Sequence, residues 1–320
     1  PHSCLCYAAA IFPGLNAFLG EAPNALDPEV GPLEKGPAFG RVTHSAADPV
    51  KSWNTYRHDG RRTGSSANAI AGTLERKWKI SVGTQLTPPV AAAGRLYVAS
   101  KNEHRVIALD AAEGRQLWTF ACDARIDSPP SICGGQLLFG SADGYVYSVR
   151  TDDGQLIWRR RLAPAERWIA VDGQLESAWR LHGSVLIEGN LAYCCAGRST
   201  FLDGGLFLYA VDIHTGEIKH QTQASTTADT RVDHADDEFV AAYHIEGGNS
   251  DILVAQGGFI YLNQMKFSPD LKLQPTKYLS KEEITRRPSM NLDSKDYVNE
   301  DIFNVQWRGE DWSTYDRLAG

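Results

Sequence analysis

Three stretches of this chain restate one another. ALDAAEGRQLW (108–118), SVRTDDGQLIW (148–158) and AVDIHTGEIKH (210–220) each set a polar, glycine-ended turn between apolar residues. Their turn glycines, Gly114, Gly154 and Gly216, stand 40 and 62 residues apart, so the second interval is one repeat plus an insertion. Ahead of each turn a glycine introduces a short run of β-branched, aromatic and aliphatic residues: Gly94 before RLYVAS, Gly135 before QLLFGS and Gly189 before NLAYCC. Such runs, bounded by Gly and Asp/Asn clusters, are strand signals. A fourth, Gly258 before FIYLNQ, has no recognisable turn after it. Several short strands recurring near 40 residues predict the blades of a β-propeller, small sheets that hide their faces only by packing on one another. Helical repeats of this length need apolar spacings of three and four, which these segments lack.

The turn has its own chemistry. Asp110 and Asp212 are placed to accept from backbone N–H groups ahead of them, as Asx turns do. Gly114, Gly154 and Gly216 supply the left-handed conformation that reverses the chain. Trp118 and Trp158 open the closing strand, where a large flat side chain can cover the seam with the neighbouring blade. The third copy carries His220 there, which predicts a looser or differently packed seam.

Composition bounds what such a chain can do. With 320 residues and 42% of them apolar it can fill a real core, as one large all-β domain or two ordinary ones. A net charge of −7 argues against a nucleic-acid footprint. No window approaches 18 consecutive apolar residues, so no membrane span is expected. Six cysteines (Cys4, Cys6, Cys122, Cys133, Cys194 and Cys195) are too few for a disulfide scaffold. The chain begins at Pro1 without a charged segment and apolar stretch, and it reads as an internal fragment whose targeting signal, if any, is out of view.

Four regions follow. Residues 1–19 carry Cys4 and Cys6 one residue apart and read as the end of a preceding module. A disulfide, a metal site and free thiols all stay open there, and the absence of C-x-x-C-H removes only covalent haem. Residues 20–50 are Pro-rich and read as linker. Residues 51–265 hold the blades. Residues 266–320 form an irregular tail or the start of a further blade.

The candidate ligand site lies in the insertion. From Trp158 to Gly189 there are 31 residues, against 17 from Trp118 to Gly135. Long connections on a rigid β scaffold tend to be caps or binding loops. This one carries Glu176, Trp179 and His182, and the lengthened hairpin AGRSTFLDGG (196–205) adds Arg198 and Asp203. If both loops rise at one end of the propeller, these side chains converge on one polar pocket. The competing arrangement pairs Arg198 with Asp203 and merely stiffens a long turn. Arg57, His58, Arg61 and Arg62 in TYRHDGRRTG (55–64) offer either an anion site or structural anchors. The acidic run 228–239 lacks the glycine and alternation of an EF-hand loop, so no metal site is assigned.

With those residues in view, ALDAAEGRQLW resembles the tryptophan-docking turn of the pyrroloquinoline-quinone (PQQ)-like repeat. WNTYRHDGRRTGSS (53–66) and the segments 127–159 and 182–218 are similar to the large PQQ-binding-like propeller proteins of planctomycete-type bacteria, over Trp53 to Leu262. The resemblance implies an all-β fold, a partial propeller of four-stranded PQQ-like blades with tryptophan-docking turns and irregular N- and C-terminal segments. It implies two functional classes. Some members oxidise alcohols with PQQ and calcium; others are scaffolds in outer-membrane assembly and bind no cofactor. No Glu/Asn/Asp calcium set is legible in 53–262. The adjacent Cys194–Cys195 falls in a predicted strand, where neighbouring side chains point to opposite faces, against the vicinal disulfide of some quinone enzymes. The expectation is therefore a non-catalytic binding or scaffolding propeller in the periplasm or cell envelope, with a protein or carbohydrate partner. The alternative is part of a PQQ- and calcium-dependent oxidoreductase.

Overall fold

A computed structural model describes residues 30–42, 52–69, 72–200, 202–225, 252–263 and 265–274. The Cys4/Cys6 segment, the acidic run 228–239 and the tail beyond 274 lie outside the described residues. Within them every regular element is a strand, and there is no helix.

Chain order opens on a short strand, β1 (Leu33–Lys35), and continues into the blades. The first blade is a four-stranded antiparallel sheet of β2 (Val90–Ala92), β3 (Arg95–Ser100), β4 (Arg105–Asp110) and β5 (Gln116–Ala121). The second comprises β6 (Ser131–Cys133), β7 (Gln136–Gly140), β8 (Tyr145–Arg150) and β9 (Leu156–Arg161). A separate hairpin, β10 (Trp168–Val171) with β11 (Gln174–Ser177), fills the insertion. The third blade is β12 (Leu186–Glu188), β13 (Leu191–Ala196), β14 (Leu206–Asp212) and β15 (Ile218–Ala224). A fourth sheet follows, β16 (Val254–Gln256), β17 (Phe259–Leu262) and β18 (Met265–Phe267). It returns through a tight turn, Ser268 N–H to Lys272 O at 3.0 Å, to an isolated bridge between Phe267 and Leu273. The strands of this sheet thus extend to Phe267, inside the stretch read from the sequence as an irregular tail or the start of a further blade. The turn went unread because it has no glycine: Leu271 takes the positive φ (+60°) there.

Each of the first three blades carries a bulge at one equivalent place, between Ala108 and Leu109, Ser148 and Val149, and Ala210 and Val211. The bulge sets Trp118 opposite Ala108, Trp158 opposite Ser148 and His220 opposite Ala210. Each indole then reaches across the seam to the next turn. Trp118 Nε1 donates to Thr151 O and Trp158 Nε1 to Ile213 O, both at 3.0 Å. The fit depends on glycine: a Cβ on Gly154 would sit 2.5 Å from Trp118 Cε3, and one on Gly216 2.9 Å from Trp158 Cδ2. A third clasp was not legible. Trp78 Nε1 donates to Ala111 O at 3.1 Å and its ring covers Gly114, but no turn copy precedes Trp78 in the sequence. The turns themselves close as expected where Asp is present, with Asp110 Oδ1 accepting from the N–H groups of Ala112 and Glu113, and Asp212 Oδ1 from those of His214 and Thr215.

The core is divided among the seams. Tyr97, Phe139 and Tyr147 fill the space between the first two blades, with Phe139 and Tyr147 stacked at 5.3 Å. Trp158, Trp179, Cys194 and Tyr209 fill the next, and Tyr193, Cys195, Leu208 and Phe267 the one after.

Two segments outside the blades hold them together. Residues 53–62 bond to the first strands of the first, second and fourth sheets: Trp53 bridges Ala91, Asn54 O accepts from Ile132 N–H at 2.7 Å, and Gly60 O accepts from Ala255 N–H at 2.8 Å. Arg62 ends this strap buried. It donates from Nε to Leu253 O at 3.1 Å, from Nη1 to Thr55 Oγ1 at 2.7 Å, and from Nη2 to Ser184 O at 3.4 Å. Burial lowers its pKa to about 10. Arg57 Nε in turn donates to Arg62 O at 3.1 Å. The second segment is a departure from the linker expectation for 20–50. Strand β1 pairs antiparallel with β9 and makes the second blade five-stranded, with Glu34 bridging Arg159 at 2.8 Å. A linker signature of prolines flanks, but does not cover, the LEKG stretch that docks.

Candidate functional site

In a four-stranded antiparallel sheet the turn between strands two and three lies opposite the other two turns, and the connection to the next sheet leaves from that same end. The β7–β8 turn, the β13–β14 hairpin and the connections 122–130 and 162–185 therefore gather at one end, away from the docking clasps. Backbone bonds join them: Ala142 N–H to Arg125 O, Ser177 N–H to Ala142 O, Leu181 N–H to Ser141 O and Gly197 N–H to Arg180 O.

Glu176 sits at the centre of this end, 1% exposed. Arg125 Nη2 donates to its Oε2 at 2.6 Å and Arg198 Nη2 donates to its Oε1. Asp127 lies alongside, with Arg125 Nε at 3.6 Å, Arg180 Nη1 at 3.7 Å and His182 Nδ1 at 3.8 Å. Burial disfavours the Asp127 carboxylate, but His182, Arg125 and Arg180 outweigh that and hold its pKa down at about 2. Burial also lowers the pKa of Arg198.

The structure places the sequence candidates in two groups. Glu176, His182 and Arg198 share the central cluster. Asp203 and Trp179 stand apart from it: Arg167 pairs with Asp203 and lies over the Trp179 ring at 4.7 Å, while Trp179 Nε1 donates to Asp203 O at 2.8 Å. Arg198 has Glu176, not Asp203, as its hydrogen-bonding partner. Arg125 and Asp127 escaped notice because they lie 51 and 49 residues before Glu176, in a short connection without length or composition to mark it. The β10–β11 hairpin also reaches back to the first blade, where Gln174 Oε1 lies 3.2 Å from His104 Nε2.

One further buried carboxylate lies near this end. Asp143, in the β7–β8 turn, accepts from Tyr147 Oη at 2.6 Å and Tyr145 N–H at 2.9 Å. Burial raises its pKa to about 6. Enclosed by its own hairpin, it caps the turn.

The described residues do not fit a calcium–quinone centre. Calcium takes six to eight oxygens, largely from carboxylates free to coordinate. Here both oxygens of Glu176 are engaged by guanidinium groups, and no three His, Cys, Asp or Glu side chains among the described residues form a metal-binding group. Cys194 and Cys195 are not joined in a disulfide and face different seams of the third blade. Burial pushes the Cys194 pKa up.

Blades clasped by tryptophan-on-glycine docking, with their long loops at the opposite end, define a PQQ-repeat propeller. The model of the family of outer membrane protein assembly factor BamB, a PQQ-repeat family, matches residues 57–247, and the chain belongs to that family. It is 26% identical over 164 residues to outer membrane protein assembly factor BamB of Burkholderia pseudomallei, covering 51% of this chain and 38% of that protein. It is 27% identical over 206 residues to the dehydrogenase subunit of a quinone alcohol dehydrogenase of Komagataeibacter europaeus, covering 57% of this chain and 26% of that protein. Among solved structures, quinohemoprotein alcohol dehydrogenase from Comamonas testosteroni superposes with a TM-score of 0.50 at 16% identity, over 74% of this chain and 43% of that one. The chain spans less than half the length of these relatives, and the structural likeness is one of fold.

Proposed function

We propose that this chain is a non-catalytic binding or scaffolding propeller segment that works outside the cytoplasm, with a polypeptide as its partner. The observation that carries this reading is the state of Glu176. A general base or a calcium ligand needs a carboxylate oxygen open to substrate or metal. Glu176 is instead closed by Arg125 and Arg198, an arrangement suited to fixing loops. Family membership supports the same reading through the named role of BamB in outer membrane protein assembly, and with it a periplasmic or envelope location. No helix among the described residues is long and apolar enough to cross a membrane.

A second reading has its own support. The likeness to the quinone alcohol dehydrogenase subunit extends over 57% of the chain, so part of a PQQ- and calcium-dependent oxidoreductase is the competing assignment. Titration with PQQ and calcium separates the two, following quinone absorbance and melting temperature. The scaffold reading expects neither saturation nor a thermal shift. Saturable binding with a melting temperature raised by several degrees would overturn it.

A further inference from the structure

Around Glu176 the positive charges are not equally committed. Arg125 and Arg198 donate to its two oxygens. Arg180 donates to neither acid: its Nη1 stands 3.7 Å from Asp127 Oδ2 and 3.8 Å from Glu176 Oε1, beyond hydrogen-bond length. Its Nε is buried without a hydrogen-bond partner, as are Arg125 Nε, Arg198 Nε and His182 Nδ1, so Arg180 differs from Arg125 and Arg198 in having no Nη hydrogen bond to either acid. Leu181 bridges Ala196, so Arg180 and His182 flank a bridged residue and fall on the same side of the chain. Both keep an opening to solvent, their side chains 24% and 34% exposed, while Asp127 and Glu176 lie deeper at 16% and 1%. Arg180 is thus a partly open guanidinium with a planar fork of donors, beside a floor in which Glu176 already holds Arg125 and Arg198 and Asp127 lies 3.6 Å from Arg125 Nε.

We propose that Arg180, with His182 and the neighbouring Arg198, forms a binding site for a carboxylate group. The fork of a guanidinium matches two carboxylate oxygens in one plane. The same floor disfavours multiply charged anions, because Asp127 and Glu176 repel a second negative charge more than a first. A singly charged carboxylate is therefore preferred over phosphate. Its source is an acidic side chain of a partner polypeptide; that source, though not the site, rests on the scaffold reading above.

The test follows the arginine Nε–Hε NMR signals of the full chain during titration with propionate, inorganic phosphate, chloride, or a capped Gly-Glu-Gly peptide, all at constant ionic strength. The Arg180 signal, identified by its loss in Arg180→Lys, is expected to shift saturably with propionate and peptide, at least tenfold more weakly with phosphate, and not with chloride. In His182→Gln the propionate midpoint is expected to rise several-fold while the Arg125 signal stays in place, which separates lost binding from lost fold. No saturable shift, or equal midpoints for propionate, phosphate and chloride, would overturn the site. Saturation by propionate without peptide binding would keep the site and assign it to a free small carboxylate. Because PQQ itself carries carboxylate groups, its titration is repeated on Arg180→Lys: binding that vanishes there belongs to the carboxylate site and binding that persists counts against the scaffold reading, so the two failures remain distinct.

Discussion

At Gly154 the missing side chain is a contact requirement. The residue has φ +71° and lies under the Trp118 indole, with no room for a methyl group. Gly154→Ala adds backbone strain to that clash and is expected to cost about 2–3 kcal/mol. Trp158→Ala, which empties a fully buried position, is expected to cost about 3–5 kcal/mol. Trp78→Ala should cost least of the three, since Trp78 is only half-buried. Urea unfolding of the three variants checks the order, and an equal or larger loss at Trp78 would contradict it. Asp143 carries a pH signature. Its folded pKa of about 6 exceeds the ordinary carboxylate value, so the folded state favours the protonated form. The contribution to stability is full below about pH 4 and is lost as pH rises through 6, by about 3 kcal/mol for a shift of this size. Asp143→Asn should flatten that slope and raise the urea midpoint at pH 7.5 more than at pH 4. Equal shifts at both pH values would mean that the group does not titrate in this window.

Elements differ in how openly the sequence announces them. The paired strands of each blade follow from alternating apolar residues and turn glycines, because a blade contains its own partners. Strand β1 does not announce itself. LEKG is three strand residues among prolines, and it becomes a strand only because the outer edge of β9 offers unpaired backbone groups. Gly36 allows this approach: a Cβ there would collide with the Leu156 backbone, while Gly36 N–H donates to Ile157 O at 2.8 Å. Gly36→Val is therefore expected to release β1. Amide exchange at Arg159, on the side of β9 that faces β1, would then rise at least tenfold, with the amides that face β8 and those of β3 and β4 unchanged. Unaltered exchange on β9 would show that β1 is held by side chains alone. The clasp by Trp78 stayed hidden for a related reason, since Trp78 lies outside any strand and no turn copy precedes it.

Across the molecule, the strap 53–62 and Arg62 do what no single blade can. Arg62 reaches Leu253, 191 residues away, and Ser184, 122 residues away, so one side chain ties the sheets that begin at β12 and β16 to the strap. Arg62→Lys keeps the charge but cannot reproduce a fork of bonds to separate carbonyls. It leaves buried acceptors unpaired, at an expected cost of about 2–4 kcal/mol. A change in urea midpoint below the equivalent of 1 kcal/mol would show that lysine and water replace the arginine fully. The repeat, the blade strands and two of the three clasps were legible in the sequence because they rest on local alternation, turn chemistry and a period near 40 residues. The loops were legible as insertions only. Whether Glu176 meets Arg125, Asp203 or a ligand depends on which turns share an end of the propeller, and that follows from strand direction and blade stacking. The sequence by itself therefore determined the unit and its docking turns. The tertiary structure alone decided the charge partners, because ion pairs between groups as far apart as Arg125 and Glu176 leave no pattern along the chain, and their energies depend on burial that only packing creates.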